Sequence, residues 1–306
     1  MSTFVELTSS DYSATAFAAF DPAANGFTIG NARALMWLSQ LAYETGKPAT
    51  IAEVGAKWGF AGITPFVRRK DGLTASFDTC GLIADRADAV ILAFAGTDPG
   101  VWETLATDFN IRPRADTDTH TGFQTALDAV QDEIRTAIGL SRQEGKPLFV
   151  TGHSLGAALA GLAARFCDLN GMRPKAVYGY GMPRAGGARF QADYNGTLGQ
   201  LTFRLVHGLD IVARAPPSGI GFRHVGHVLQ CDRSAKFDQT KLSAAVSDLP
   251  EFAAGLADAL VSGAEGLLTG RVLPPPGPGT FGPLFKFLPP PLRDHLQDCY
   301  YNALTV

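Results

Sequence analysis

Residues 148–166, LFVTGHSLGAALAGLAARF, pass from an apolar strand, through two glycines set around one serine, into a helix. Leu148, Phe149, Val150 and Thr151 are bulky or β-branched and read as a short buried strand. Gly152, His153, Ser154, Leu155 and Gly156 spell G-x-S-x-G, after which Leu155, Leu159, Leu162 and Phe166 recur at helical spacing. A turn squeezed between strand and helix strains its central residue, and glycines two positions either side remove the Cβ atoms that would collide. The spacing therefore predicts a serine hydroxyl held at the tip of the turn, the nucleophile elbow of an α/β-hydrolase. The competing reading is a glycine-rich crossover in another α/β fold with Ser154 as a helix cap, and only partners elsewhere in the chain decide between them.

The flanking sequence predicts the same class. Residues 31–43 carry apolar side chains at helical spacing, and GLIADRADAVILAFAGTD reads as a hairpin turning at Asp85–Asp88. A long amphipathic helix is expected over 121–143, followed by strands at 175–181, 201–207 and 222–231. Strands alternating with helices imply an α/β fold whose mostly parallel central sheet carries helices on both faces. The 306 residues are read as one domain, with an apolar, proline-rich insertion at about 235–292.

Composition narrows the partners. Hydrophobic residues make up 46% and charged residues 18%, enough apolar material for a sizeable core. The net charge is −3 and the longest basic run is Arg68-Arg69-Lys70, which is no footprint for nucleic acid. No stretch is long and apolar enough for a transmembrane segment. The first twenty residues lack the basic and apolar regions of a signal peptide, which leaves three readings: a cytosolic chain, export without a cleaved signal, or a processed form. Cys80, Cys167, Cys231 and Cys299 form no C-x-x-C pair and are read as buried free thiols rather than metal ligands, with one or two long-range disulfides as the alternative in an exported chain.

A serine nucleophile needs a base to take its proton and an acid to orient that base. In α/β-hydrolase order both follow the serine, so His120 and His153 are removed. Asp210, just beyond the strand 201–207, lies at the carboxyl edge where such sheets place their sites, with Asp232 in reserve. His207, His224, His227 and His295 remain as bases. The first three are assigned to strands, whereas His295 follows the prolines on a loop entering the last helix, so it is the preferred base. One oxyanion donor is expected from the N–H of Leu155 at the helix start, and the second from Gly96-Thr97 at the end of ILAFAGTD.

These motifs, taken in order, resemble the class 3 lipases, the fungal-lipase-like branch of the α/β-hydrolases. AFAGT (93–97) is similar to the family's oxyanion strand, HTGF (120–123) to its His-x-Gly-Phe, and VTGHSLGAALAGLAA (150–164) to its elbow. YGYGMPRAGG (178–187), FRLVHGLDIVARAPP (203–217), FRHVGHVL (222–229) and DHLQDCYYNAL (294–304) resemble the stretches that follow. The resemblance implies Ser154 as nucleophile, Asp210 as acid, His295 as base and Thr97 as oxyanion donor, with no metal or organic cofactor. It departs at Ala95, where the family usually carries arginine, and in the length of the proline-rich region.

The expected activity is carboxylic-ester hydrolysis, foremost as a lipase on acyl glycerides. The alternatives are an esterase or phospholipase on other acyl esters, or a catalytically silent lipid-binding protein on the same scaffold. Two segments are candidate covers meeting a lipid interface. One is 248–268, where Leu249, Phe252, Leu256, Leu260 and Leu267 form an apolar stripe whose plainer reading is packing on the body of the protein. The other is DPGVWETLATDF (98–109), with Trp102 as its apolar handle and with a lid placed there by the resemblance.

Overall fold

The computed structural model describes residues 7–69, 78–96, 113–143, 145–243 and 290–305. Thr28 opens the first helix, its hydroxyl accepting from Asn31 N–H at 3.1 Å, and α1 (Ile29–Leu41) buries Ala32, Leu35, Met36 and Leu38. A second helix, α2 (Pro48–Lys57), starts on a proline whose missing N–H costs nothing at a helix N-terminus. The strands β1 (Gly62–Arg69), β2 (Asp78–Asp85) and β3 (Val90–Phe94) follow as an antiparallel meander. The second hairpin turns where the sequence predicts, with Arg86 N–H donating to Ala89 C=O at 2.9 Å.

Two helices, α3 (Thr121–Asp128) and α4 (Gln131–Gln143), occupy the stretch read as a single helix. The interruption falls at Ala129–Val130, where no glycine or proline signals it. An unbroken helix over 121–143 would be about 34 Å long. Phe123, Leu127, Val130, Ile134 and Ile138 all enter one core across the break, where Val130 N–H donates to Leu127 C=O at 2.9 Å.

Then come β4 (Leu148–His153), α5 (Leu155–Leu169), β5 (Ala176–Tyr180), β6 (Gly186–Gly187), α6 (Ala188–Thr197) and β7 (Thr202–His207). The stretch read as one strand over 222–231 is two, β8 (Phe222–Arg223) and β9 (His227–Cys231). Gly226 separates them at φ +67°, and a Cβ there would sit 2.5 Å from Thr202 O, so the chain turns where only glycine fits. β8 pairs with β6 in a small second sheet, while β9 joins the main one. His224 therefore lies between strands rather than within one, a correction to the sequence reading. The helices α7 (Pro290–Arg293) and α8 (Gln297–Ala303) close the described chain.

The main sheet has the order β1-β2-β3-β4-β5-β7-β9 and is parallel from β3 to β9. It carries a buried core on each face, as the alternation of side chains along β3 shows. Ile91 and Ala93 pack with α1 and the aromatic N-terminal segment, whereas Val90, Leu92 and Phe94 pack with α3, α4 and α5. The sheet is thus the mostly parallel, two-sided one expected. Of the insertion at about 235–292, residues 244–289 lie outside the described residues, and with them Leu256 and Leu260 and the whole of the stripe at 248–268.

Candidate active site

Ser154 sits between β4 and α5 with φ 61° and ψ −132°, a left-handed conformation that is strained for a residue with a Cβ. Its N–H donates to Tyr180 C=O at 2.8 Å and its side chain caps no helix N–H, so the helix-cap reading is set aside. The flanking glycines are required by contact. A Cβ on Gly152 would lie 2.2 Å from Gly156 O, and one on Gly156 would lie 2.4 Å from Phe94 O. The start of α5 is thereby pressed against the exit of β3.

That exit passes directly beside the serine. A Cβ on Gly96 would lie 2.9 Å from Ser154 Cβ and 2.8 Å from His153 O. Thr97, the next residue, lies outside the described residues, as does Trp102. Leu155 is the first residue of α5, so its N–H has no intrahelical acceptor and points where the positive end of the helix dipole does.

Asp210 and His295, 85 residues apart in sequence, meet in the interior. His295 Nδ1 lies 2.8 Å from each carboxylate oxygen of Asp210. Asp210 is fully buried at the carboxyl end of β7, and His295 is 2% exposed on the turn between α7 and α8. The carboxylate also accepts from Tyr300 O–H at 2.5 Å and from Val212 N–H at 2.8 Å. Burial on its own would raise the Asp210 pKa. The charge of His295 and hydrogen bonds from His295 and Tyr300 outweigh that and hold it below its ordinary value.

Gly181 ties this pair to the serine. It follows Tyr180, whose carbonyl receives the Ser154 N–H, and adopts φ +57°. A Cβ on Gly181 would fall 2.6 Å from Asp210 Oδ2 and 2.7 Å from His295 Cε1. One backbone segment therefore touches all three predicted site residues.

His153, removed as a base by chain order, is a contact sequence reasoning missed. Its Nε2 lies 2.7 Å from the backbone carbonyl of His295 and its Nδ1 2.9 Å from Tyr43 O–H. A carbonyl only accepts, so Nε2 carries the proton and Nδ1 accepts from the tyrosine. Burial, reinforced by the charge of His295, pushes the His153 pKa down to about 3, so the ring stays neutral. Its ring centroid is 4.6 Å from that of His295. Tyr300 was also missed, though it lies five residues beyond His295 on a helix predicted to follow it.

The other histidines are engaged elsewhere. His224 Nε2 donates to Ala213 C=O at 2.8 Å, and His227 contacts Ser243 O and Gln200 Oε1. Both are buried, and His207 is buried beside Asp294 at 3.8 Å. The reserve acid Asp232 is exposed. Cys167 and Cys231 are buried, whereas Cys80 and Cys299 are half-buried. Among the described residues, no cluster of ligating side chains could hold a metal, and no helix is long and apolar enough to cross a membrane.

A strained serine at a strand–helix turn, beside a buried aspartate–histidine pair at the carboxyl edge of a parallel sheet, is the arrangement of the α/β-hydrolase fold. Residues 91–219 match the family model of the class 3 lipases. A secreted mono- and diacylglycerol lipase of Fusarium solani is 39% identical over 111 residues, covering 34% of this chain and 32% of the relative. Secreted mono- and diacylglycerol lipase A of Penicillium cyclopium is 34% identical over 155 residues, covering 48% of this chain and 50% of the relative. The chain thus spans between a third and a half of the length of these relatives. Lipase II from Rhizopus niveus shares the fold, with a TM-score of 0.54, 24% identity, and coverage of 71% of this chain and 86% of that one.

Proposed function

We propose that the protein is a serine hydrolase of carboxylic esters, a lipase acting on acyl glycerides. The observation that carries the reading is the convergence of strained Ser154 and the buried Asp210–His295 pair on the segment Tyr180–Gly181. Ser154 Oγ attacks the ester carbonyl while His295 Nε2, the nitrogen turned away from Asp210, takes its proton and then gives it to the leaving alcohol. Asp210 holds the ring and balances the imidazolium that forms. The N–H groups of Leu155 and Thr97 receive the oxyanion, and water releases the acyl-enzyme by the same steps in reverse.

Choice of an acyl glyceride is supported by the family and by relatives named as mono- and diacylglycerol lipases. We read the chain as one domain, since the main sheet draws on residues 62–231 and α8 returns to the core formed by its strands and α1. The test is hydrolysis of p-nitrophenyl esters of graded chain length alongside emulsified mono-, di- and triglycerides. Turnover of glycerides that vanishes in Ser154→Ala supports the reading. Turnover of soluble short esters alone points to an esterase, and no turnover of any ester to the silent scaffold.

A further inference from the structure

A second set of contacts joins the two loops that deliver Asp210 and His295, and no step of the reaction uses it. Asp294, immediately before His295, is fully buried, yet its carboxylate faces three groups. Arg233, on the turn after β9, donates from Nε to Oδ1 and from Nη2 to Oδ2, both at 2.7 Å. Leu209 N–H, from the residue just before Asp210, donates to Oδ2 at 2.8 Å. His207 Nδ1 stands 3.8 Å from Oδ1.

The loop is shaped to receive this carboxylate. Gly208 adopts φ +53°, and a Cβ there would lie 2.4 Å from Asp294 Oδ2. Gly208 N–H donates to Cys231 C=O at 2.8 Å, so the segment is pinned to the end of β9, two residues before Arg233. A weaker strap, Ile211 N–H to Pro291 C=O at 3.4 Å, joins the same two loops. Asp294 therefore grips the neighbour of the acid while being itself the neighbour of the base. Arg233 fixes the carboxylate plane, because a two-point guanidinium contact allows one orientation where a single contact allows many.

We infer that the Arg233–Asp294 pair is a positioning device for ester hydrolysis: it sets the angle at which His295 meets Asp210 without touching substrate. This rests on the proposed hydrolase reading. It is needed because His295 stands on a turn between two short helices, α7 of four residues and α8 of seven, which give little rigidity of their own. Arg233 is half-exposed, 51% by side chain, so it can be altered without opening the core.

The experiment compares wild type, Arg233→Met, Arg233→Lys and Asp294→Asn for kcat, KM, melting temperature and the downfield NMR resonance of the His295 Nδ1 proton. Ser154→Ala and His295→Ala serve as controls. Misplacement of a catalytic group lowers turnover, so Arg233→Met should lose on the order of 10²-fold in kcat with little change in KM. Its Nδ1 proton resonance should move or broaden. Arg233→Lys, which keeps the charge but not the two-point geometry, should recover about tenfold of that loss. Should Arg233→Met not fold, Arg233→Lys and Asp294→Asn carry the test with the same two readouts. A kcat within about threefold of wild type, or a lowered kcat with an unmoved resonance, overturns the inference. If Ser154→Ala or His295→Ala retains full activity, it is the hydrolase reading that has failed instead.

Discussion

His295 is reached by contacts on three sides: Asp210 on its Nδ1, His153 on its backbone carbonyl, and Gly181 against its ring edge. Groups that act as one unit are not additive, so His295→Ala should lose nearly as much turnover as Ser154→Ala, on the order of 10⁶-fold. Steady-state kinetics on a soluble ester checks this, with His224→Ala as the contrast. His224 serves a buried carbonyl, so its loss should lower the melting temperature and leave kcat of the folded fraction near wild type. Tyr300→Phe should be intermediate. It removes a hydrogen bond to a buried carboxylate, and kcat should fall by about tenfold, because only the part of that bond that strengthens as the imidazolium forms contributes to turnover. An unchanged kcat in Tyr300→Phe would mean that Asp210 is held by its backbone donors and His295 alone.

At the level of elements, the strand–turn–helix was legible because its signals are local. The apolar run, two glycines and a helical stripe sit within nineteen residues, 148–166, and each does in the fold what its position implied. The break between α3 and α4 was not legible, since it carries no glycine or proline and the apolar spacing from Phe123 to Ile138 runs through it unchanged. Gly226 was a signal passed over, a glycine inside an apparent strand that marked the division of 222–231. β1 and α2 went unread because neither shows a sustained apolar period, although Pro48 at the first helical position was a start signal. Long-range bonds such as Tyr43 to His153 leave no trace in a single sequence. The elbow itself predicts that Gly156→Ala is far worse than an average surface change. Its Cβ would meet the Phe94 and Ala95 carbonyls, backbone that cannot rotate away. Urea unfolding should show a loss of about 3 kcal/mol, at the upper end for overpacking. A loss below about 1 kcal/mol would show that α5 shifts freely against β3.

Across the whole molecule, three buried histidines shift in the same direction. Burial lowers the pKa of His153, of His207 and, with help from nearby arginines, of His224. The unfolded chain takes up these protons from about pH 6.5 downward while the folded chain does not, so stability is complete above that pH and falls as pH drops. Each such histidine removes up to about 1.4 kcal/mol per pH unit, and for His153 the loss continues toward its folded value of about 3. Asp210, also lowered, adds its share only below about pH 4, where an unfolded aspartate protonates. Melting temperature should therefore be flat from pH 8 to 7 and fall steeply below 6. A curve level down to pH 5 would contradict the buried, neutral state of these rings.

The central claim is that one serine, strained at a turn and served by one buried histidine–aspartate pair, performs the chemistry. The measurement that reaches it most directly is stoichiometric labelling of the wild-type chain with an alkyl p-nitrophenyl phosphonate, followed by peptide mapping. We predict p-nitrophenol release of one equivalent, a single adduct on Ser154, loss of ester hydrolysis in proportion to labelling, and very slow labelling in His295→Ala. An adduct on any other residue, or hydrolysis that survives complete labelling of Ser154, would contradict it.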